Sequence, residues 1–80
     1  MFSYTNGNGL SLGNTTNISL FYNIFNNNNA VSPVFGLYLK NNINFTSSSG
    51  NNIFYNSNYS GDNEAVQEYE QKVKPNDYFY

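Results

Sequence analysis

Hydrophobic and polar positions alternate most cleanly in VFGLYLK, Val34 to Lys40. An extended chain there puts Phe35, Leu37 and Leu39 on one side and Val34, Gly36, Tyr38 and Lys40 on the other. A period of two predicts a strand. The pair Asn41–Asn42 is turn-prone and INFT follows it, so the pattern predicts a hairpin of 34–40 with 43–46. Upstream, TNISLFYNIF (16–25) is β-branched and aromatic and predicts another strand. It ends at Asn26 to Asn29, because Asn tolerates the left-handed backbone region and makes Asx turns, and Pro33 then resets the chain. Residues 1–15 scatter Gly7, Gly9 and Gly13 among polar residues, with Leu10 and Leu12 alternating, and read as an extended arm. TSSSGNN reads as a loop, NIFYNSNYS (52–60) as a short aromatic strand, and Gly61 closes this β-like part.

From Asp62 the period changes. DNEAVQEYEQKVK (62–74) places Val66, Tyr69 and Val73 at i, i+3 and i+7, and sets Glu68 with Lys72 and Glu70 with Lys74 at i, i+4. Asp62 is suited to cap the start and Pro75 to stop the end. This is an amphipathic helix of about three turns, marginal alone and in need of a surface to lie on. Residues 75–80 form a tail ending in Tyr78, Phe79 and Tyr80. No fixed-period repeat is found. The expected fold is mainly β, with short strands and extended arms and one short C-terminal amphipathic helix.

Composition bears on what holds such a fold together. The 80 residues include 20 of Leu, Ile, Val and Phe, two Ala and one Met, and much of the remaining apolar surface is Tyr, whose hydroxyl needs a partner. There is no Cys for a disulfide and no His for a metal. The expectation is therefore little independent core, with stability borrowed from a neighbour. Three Lys, no Arg and five acids leave a net charge of −2, without the cationic stripe that phosphate-backbone binding needs, so no nucleic acid partner is expected. No basic n-region with an apolar run marks a signal peptide, and no window approaches the roughly 20 apolar residues of a membrane span. Asn is the loudest residue, with 18 copies against three Lys, so neutral amides stand where charges would be usual.

The same absences bound the chemistry. Without His or Cys, Ser-His-Asp and Cys-His catalysis and thiolate or imidazole metal sites are unavailable within the chain. Glu64, Glu68 and Glu70 read as solvated, ion-pairing helix positions, so no catalytic residue, no cofactor and no enzyme activity is expected. Asn56, Asn58, Ser60, Gly61, Glu64 and Gln67 resemble the spacing of an EF-hand calcium loop at positions 1, 3, 5, 6, 9 and 12. The charges depart from that pattern. Position 1 is Asn for Asp, and position 12 is Gln where a bidentate Glu belongs. Four Asn-x-Ser/Thr sequons, at Asn14, Asn17, Asn44 and Asn58, are about what chance supplies with this much Asn.

The aromatics carry more. Phe21, Tyr22, Phe25, Phe35, Tyr38, Phe54, Tyr55 and Tyr59 on strand-like segments, and Tyr78, Phe79 and Tyr80 in the tail, exceed what a thin core hides. Together with Val66, Tyr69 and Val73 on the helix they are expected to form an interface with larger protein subunits, since Tyr and Phe are favoured at interface cores. Extended segments would join a neighbour's sheet edge by strand addition. Strand-rich, Asn/Ser/Thr/Gly-rich, Lys-poor and Cys-free composition is common among virion and phage structural proteins. The expectation is a non-enzymatic minor component, a cement or linker of a large assembly, with a virus or phage particle as its location. Two alternatives stand beside it: self-association as an Asn-rich cross-β filament, and a small carbohydrate- or calcium-binding β module.

Overall fold

The computed structural model describes residues 2–3, 9–26 and 35–80. Gly7, Asn27 to Asn29, Pro33 and Val34, which carried parts of the expected arm, loop and strand, lie outside them. The elements are β1 (Phe2–Ser3), β2 (Leu10–Ile18), β3 (Ile24–Asn26), β4 (Leu37–Phe45), β5 (Ile53–Tyr55), β6 (Tyr59–Gly61), α1 (Asn63–Lys72), a 3-10 turn over Lys74–Asn76, and β7 (Tyr78–Phe79). Every described strand pairing is parallel. Odd strands form one sheet in the order β1-β3-β5-β7, and even strands form the other in the order β2-β4-β6. The chain visits the two sheets in turn, so each circuit lays its strands beside those of the circuit before. This is a short parallel solenoid.

The asparagines make its corners. Among the described residues, five of the six non-glycine residues at positive φ are Asn, and after Gly it is Asn that reaches the left-handed region most readily. Between the pairs Gly13↔Lys40 and Thr15↔Ile43, Asn14 (φ 49°) on β2 opposes Asn41 (φ 63°) and Asn42 on β4. Between Thr15↔Ile43 and Ile18↔Phe45 the imbalance reverses, with Thr16 and Asn17 opposing Asn44, and register is recovered. The expected hairpin at Asn41–Asn42 is thereby corrected. The backbone bends there without reversing, and Leu37–Phe45 continues as one nine-residue strand. Residues 10–15, read as an arm, belong to β2, which pairs with β4. The single strands expected over 16–25 and 52–60 are each broken by a corner, with Tyr22 (φ 56°) inside the first and Asn56 (φ 48°) inside the second.

A real core lies between the sheets, and this overturns the expectation of little independent core. Leu20, Phe25, Leu37, Leu39, Ile43, Phe45, Phe54, Ala65, Tyr69 and Val73 form one buried cluster. The radius of gyration, 11.3 Å, matches the ~12 Å of a self-contained domain of this length. Composition understated the core because parallel circuits align like residues into columns. The rings of Phe25 and Phe54 stack at 4.6 Å and 16°, and those of Phe54 and Phe79 at 4.5 Å and 8°. Tyr69 meets Phe45 and Phe54 edge-on. Each such pair contributes about 0.5–1.5 kcal/mol beyond its buried area.

A polar column runs beside the aromatic one. The Oδ1 of the fully buried Asn52 accepts from the Asn23 backbone N–H (2.9 Å) and Nδ2 (3.1 Å). Asn52 Nδ2 donates to the Leu20 carbonyl and to Asp77 Oδ1, both at 3.1 Å, and the Asn52 N–H donates to the same Asp77 oxygen at 2.9 Å. Tyr69 Oη donates to Asp77 Oδ2 at 2.5 Å. Among the described residues no buried side-chain N or O lacks a partner, so this column is a satisfied network and not a liability.

Candidate docking face and the two sheet edges

Helix α1 lies where the expected one was, with Ala65, Tyr69 and Val73 buried and Val66 half-buried. The surface it needed is the chain's own β4. Glu68 and Lys72 pair at 3.0 Å as their spacing predicts. Asp62 sits at the N-cap with extended backbone, but its side chain does not cap the helix. Instead its Oδ2 accepts the Asn41 N–H (2.9 Å), and Glu68 Oε2 accepts the Phe45 N–H (3.0 Å). These amides belong to the stretch of β4 beyond the three residues that β6 covers. Gly61 makes the change from strand to helix possible. Its φ is 148°, and a Cβ there would lie 1.9 Å from the Leu39 carbonyl oxygen. The far edge of the three-stranded sheet is thus sealed by two carboxylates and a helix.

Glu70 and Lys74 do not pair directly as their spacing suggested. Tyr59 Oη donates to Glu70 Oε2 (2.5 Å) and accepts from Lys74 Nζ (2.8 Å), while the ammonium lies 5.0 Å from the Tyr59 ring centroid. Burial, then the bond to Glu70, holds the Tyr59 hydroxyl above the ordinary tyrosine range. The Lys74 ammonium is raised, chiefly by its bond to Tyr59. For Tyr69, burial and the bond to Asp77 push the hydroxyl far above the ordinary value of 10.0.

The four-stranded sheet has the opposite character. Phe25, Phe54 and Phe79 are in register and point inward, so alternation turns their neighbours outward. One outer row is Ile24, Ile53 and Tyr78, and the next holds Asn26 and Tyr55 with Tyr80 beyond them. Tyr55, Tyr78 and Tyr80 are 51%, 50% and 72% exposed. Exposed Phe21 and Tyr22 stand at the corner leading into β3. The one charged group near these rows, Asp77, is turned into the polar column. The result is an aromatic surface without a charged side chain.

Of the fourteen interface residues expected from sequence, the structure gathers Tyr55, Tyr78 and Tyr80 on this face, with Phe21 and Tyr22 beside it and Phe79 at its edge. Phe25, Phe54, Tyr69 and Val73 are fully buried, and this corrects their assignment as interface residues. Phe35 and Tyr38 stack on each other at 6.3 Å, and Tyr59 is occupied beneath Lys74. The EF-hand-like spacing does not make a loop. Asn56 and Asn58 flank a corner, Ser60 lies in β6, and Glu64 and Gln67 lie in α1, so the groups are spread over a corner, a strand and the start of a helix. Among the described residues no group of three or more acidic, His or Cys side chains converges, and no helix is long and apolar enough to cross a membrane.

Sequence reasoning missed two features. One is the Asn23, Asn52, Asp77 column. Its signal was present as the triplet Asn23-Ile24-Phe25, repeated at Asn52-Ile53-Phe54 and echoed at Asp77-Tyr78-Phe79. The other is an open groove of about 350 Å³ lined by the amides of Asn14, Asn41, Asn42 and Asn63 and the carboxylates of Asp62 and Glu64. No family model, curated protein or solved structure matches this chain, and the functional reading rests on its own geometry.

Proposed function

We propose that the chain is a non-enzymatic structural protein that docks on larger subunits of an assembly as a cement or linker, in the setting of a virus or phage particle. The observation that carries this reading is the outer face of the four-stranded sheet, where Tyr55, Tyr78 and Tyr80 are exposed side by side with no charged side chain among them. Large rings on a rigid sheet bring contact area at little entropic cost, the property that enriches them at interface centres. With a core of its own, the module arrives folded and offers a preformed surface. A sealed edge on the three-stranded sheet works against indefinite stacking of copies into a filament.

A second reading, a carbohydrate-binding module, is favoured by the Tyr55 and Tyr80 pair together with the groove of amides and carboxylates. Gradient sedimentation of the tagged chain, expressed in the cells that make it, tests the first. Wild type should travel with a large assembly, and the Tyr55→Lys, Tyr80→Lys double variant should remain at the top with an unchanged circular dichroism spectrum. Equal sedimentation of the two, or wild type at the top, defeats the docking reading. Glycan-array binding lost in the same variant would favour the second.

A further inference from the structure

We propose that the open edge of the four-stranded sheet, at Tyr78 to Tyr80, takes an extended segment of the partner protein by strand addition, the segment being uncharged and carrying an aromatic residue opposite Phe79. The inference rests on the docking reading above and names the partner's chemistry.

The backbone is the first argument. In a parallel ladder successive residues address opposite neighbours. Tyr78 and Tyr80 address β5, donating N–H to the carbonyls of Asn52 and Phe54 at 2.8 Å, while the Tyr80 carbonyl accepts the Asn56 N–H at 3.0 Å. Alternation therefore turns the N–H and C=O of Phe79 to the far side, where no described strand lies. A donor and an acceptor at that spacing match another polypeptide strand.

The aromatic column is the second. Its inner members, Phe25 and Phe54, are 0% exposed, whereas Phe79 is 39% exposed, stacked on Phe54 with Lys74 Nζ 5.5 Å from its ring centroid. An aromatic side chain on the added strand continues the column and also meets the ammonium. Charge is the third. Strands β3, β5 and β7 contain no ionisable group besides the hydroxyls of Tyr55 and Tyr78, so a neutral segment is accepted without burying an unpaired ion.

The test titrates the peptide Asn-Asn-Ile-Phe-Tyr-Asn, the sequence of residues 51–56 with which β7 already pairs, into the isotope-labelled full chain and follows amide shifts by NMR. Expected are shifts at Phe79 and Tyr80, slowed hydrogen exchange of the Phe79 amide, binding about three- to tenfold weaker when the peptide's Phe is replaced by Ala, and loss of binding when its backbone is N-methylated at the pairing residue. No shift at β7, or a methylated peptide that binds equally well, overturns the proposal. Concentration-dependent self-association of the chain alone through Phe79 also overturns it, because the occupant is then a second copy. The variant Tyr55→Lys separates the two readings. If it still binds the peptide but leaves the assembly, both stand; if it stays in the assembly, the face reading fails on its own.

Discussion

The two sheets end differently. Beyond β6 the edge of the three-stranded sheet is closed by α1, whose Asp62 and Glu68 carboxylates take the Asn41 and Phe45 amides, whereas the four-stranded sheet ends in β7 with an aromatic ring half in solvent. Seven of the eight charged side chains lie at Asp62 or beyond. They close the first edge, tie Tyr59 to α1 through Glu70 and Lys74, and finish the polar column at Asp77. None stands on the outer rows of β3, β5 and β7. Natural proteins guard sheet edges with charge and helices, and this chain does so on one sheet, while on the other the Lys74 ammonium lies against the Phe79 ring and no carboxylate or helix covers β7 among the described residues. That contrast separates an end closed by charge and a helix from an aromatic one left open among the described residues.

The largest perturbation removes what both ends share. Phe54→Ala deletes the fully buried middle of the aromatic column and is expected to lower stability by about 3–5 kcal/mol, enough to leave a domain this small largely unfolded, as urea titration would read. Next comes the sealed edge. Glu68→Ala leaves the part-buried Phe45 amide without its acceptor and should remove about 1–3 kcal/mol, with faster hydrogen exchange at Phe45 and no change at Tyr80. Glu68→Gln should recover part of that loss, since an amide oxygen still accepts.

Tyr69→Phe sharpens the comparison from inside the core. Its hydroxyl titrates far above 10.0 in the folded chain, so the unfolded chain ionises first as pH rises. The stability that Tyr69 contributes is full below pH 10 and is lost above it. The variant should be about 1–2 kcal/mol less stable at neutral pH and should show a shallower alkaline decline in thermal melts between pH 9 and about 11. The smallest effect is expected at the open aromatic end, where Tyr55→Lys should change stability by no more than about 0.5 kcal/mol while, on the proposed docking reading, abolishing assembly docking. A large loss of stability there would mean that the face is structural.

How much of this was legible follows from what each signal depends on. The helix was, because i, i+3, i+7 spacing and the Glu68–Lys72 pair are local; its end was not, since α1 stops at Lys72 and Pro75 lies within the 3-10 turn that follows. Strand character in LYLK and NIFY was legible too. The corner at Asn41 was misread as a hairpin because a left-handed Asn serves a reversal and a bulge equally well, and only the partner strand, Leu10 to Ile18, decides between them. Burial of Phe25 and Phe54 was hidden for the same reason. An aromatic in a three-residue strand is core or surface according to whether the next circuit brings another ring above it. The open face was half visible, since Tyr55, Tyr78 and Tyr80 were singled out, but their adjacency depends on a register between segments far apart in the chain.

The aromatic column pairs positions 25, 54 and 79, an uneven spacing with a consequence for descent. What inheritance must preserve in such a molecule is the triplet that enters each column, while the links between triplets are at liberty to lengthen or shrink. Duplication of one circuit would extend the protein without inventing any contact, and loss of one would shorten it. Kin of this chain are therefore expected to share Asn-Ile-Phe triplets in order, separated by links of unrelated length, much as verses keep a rhyme while their lines change metre.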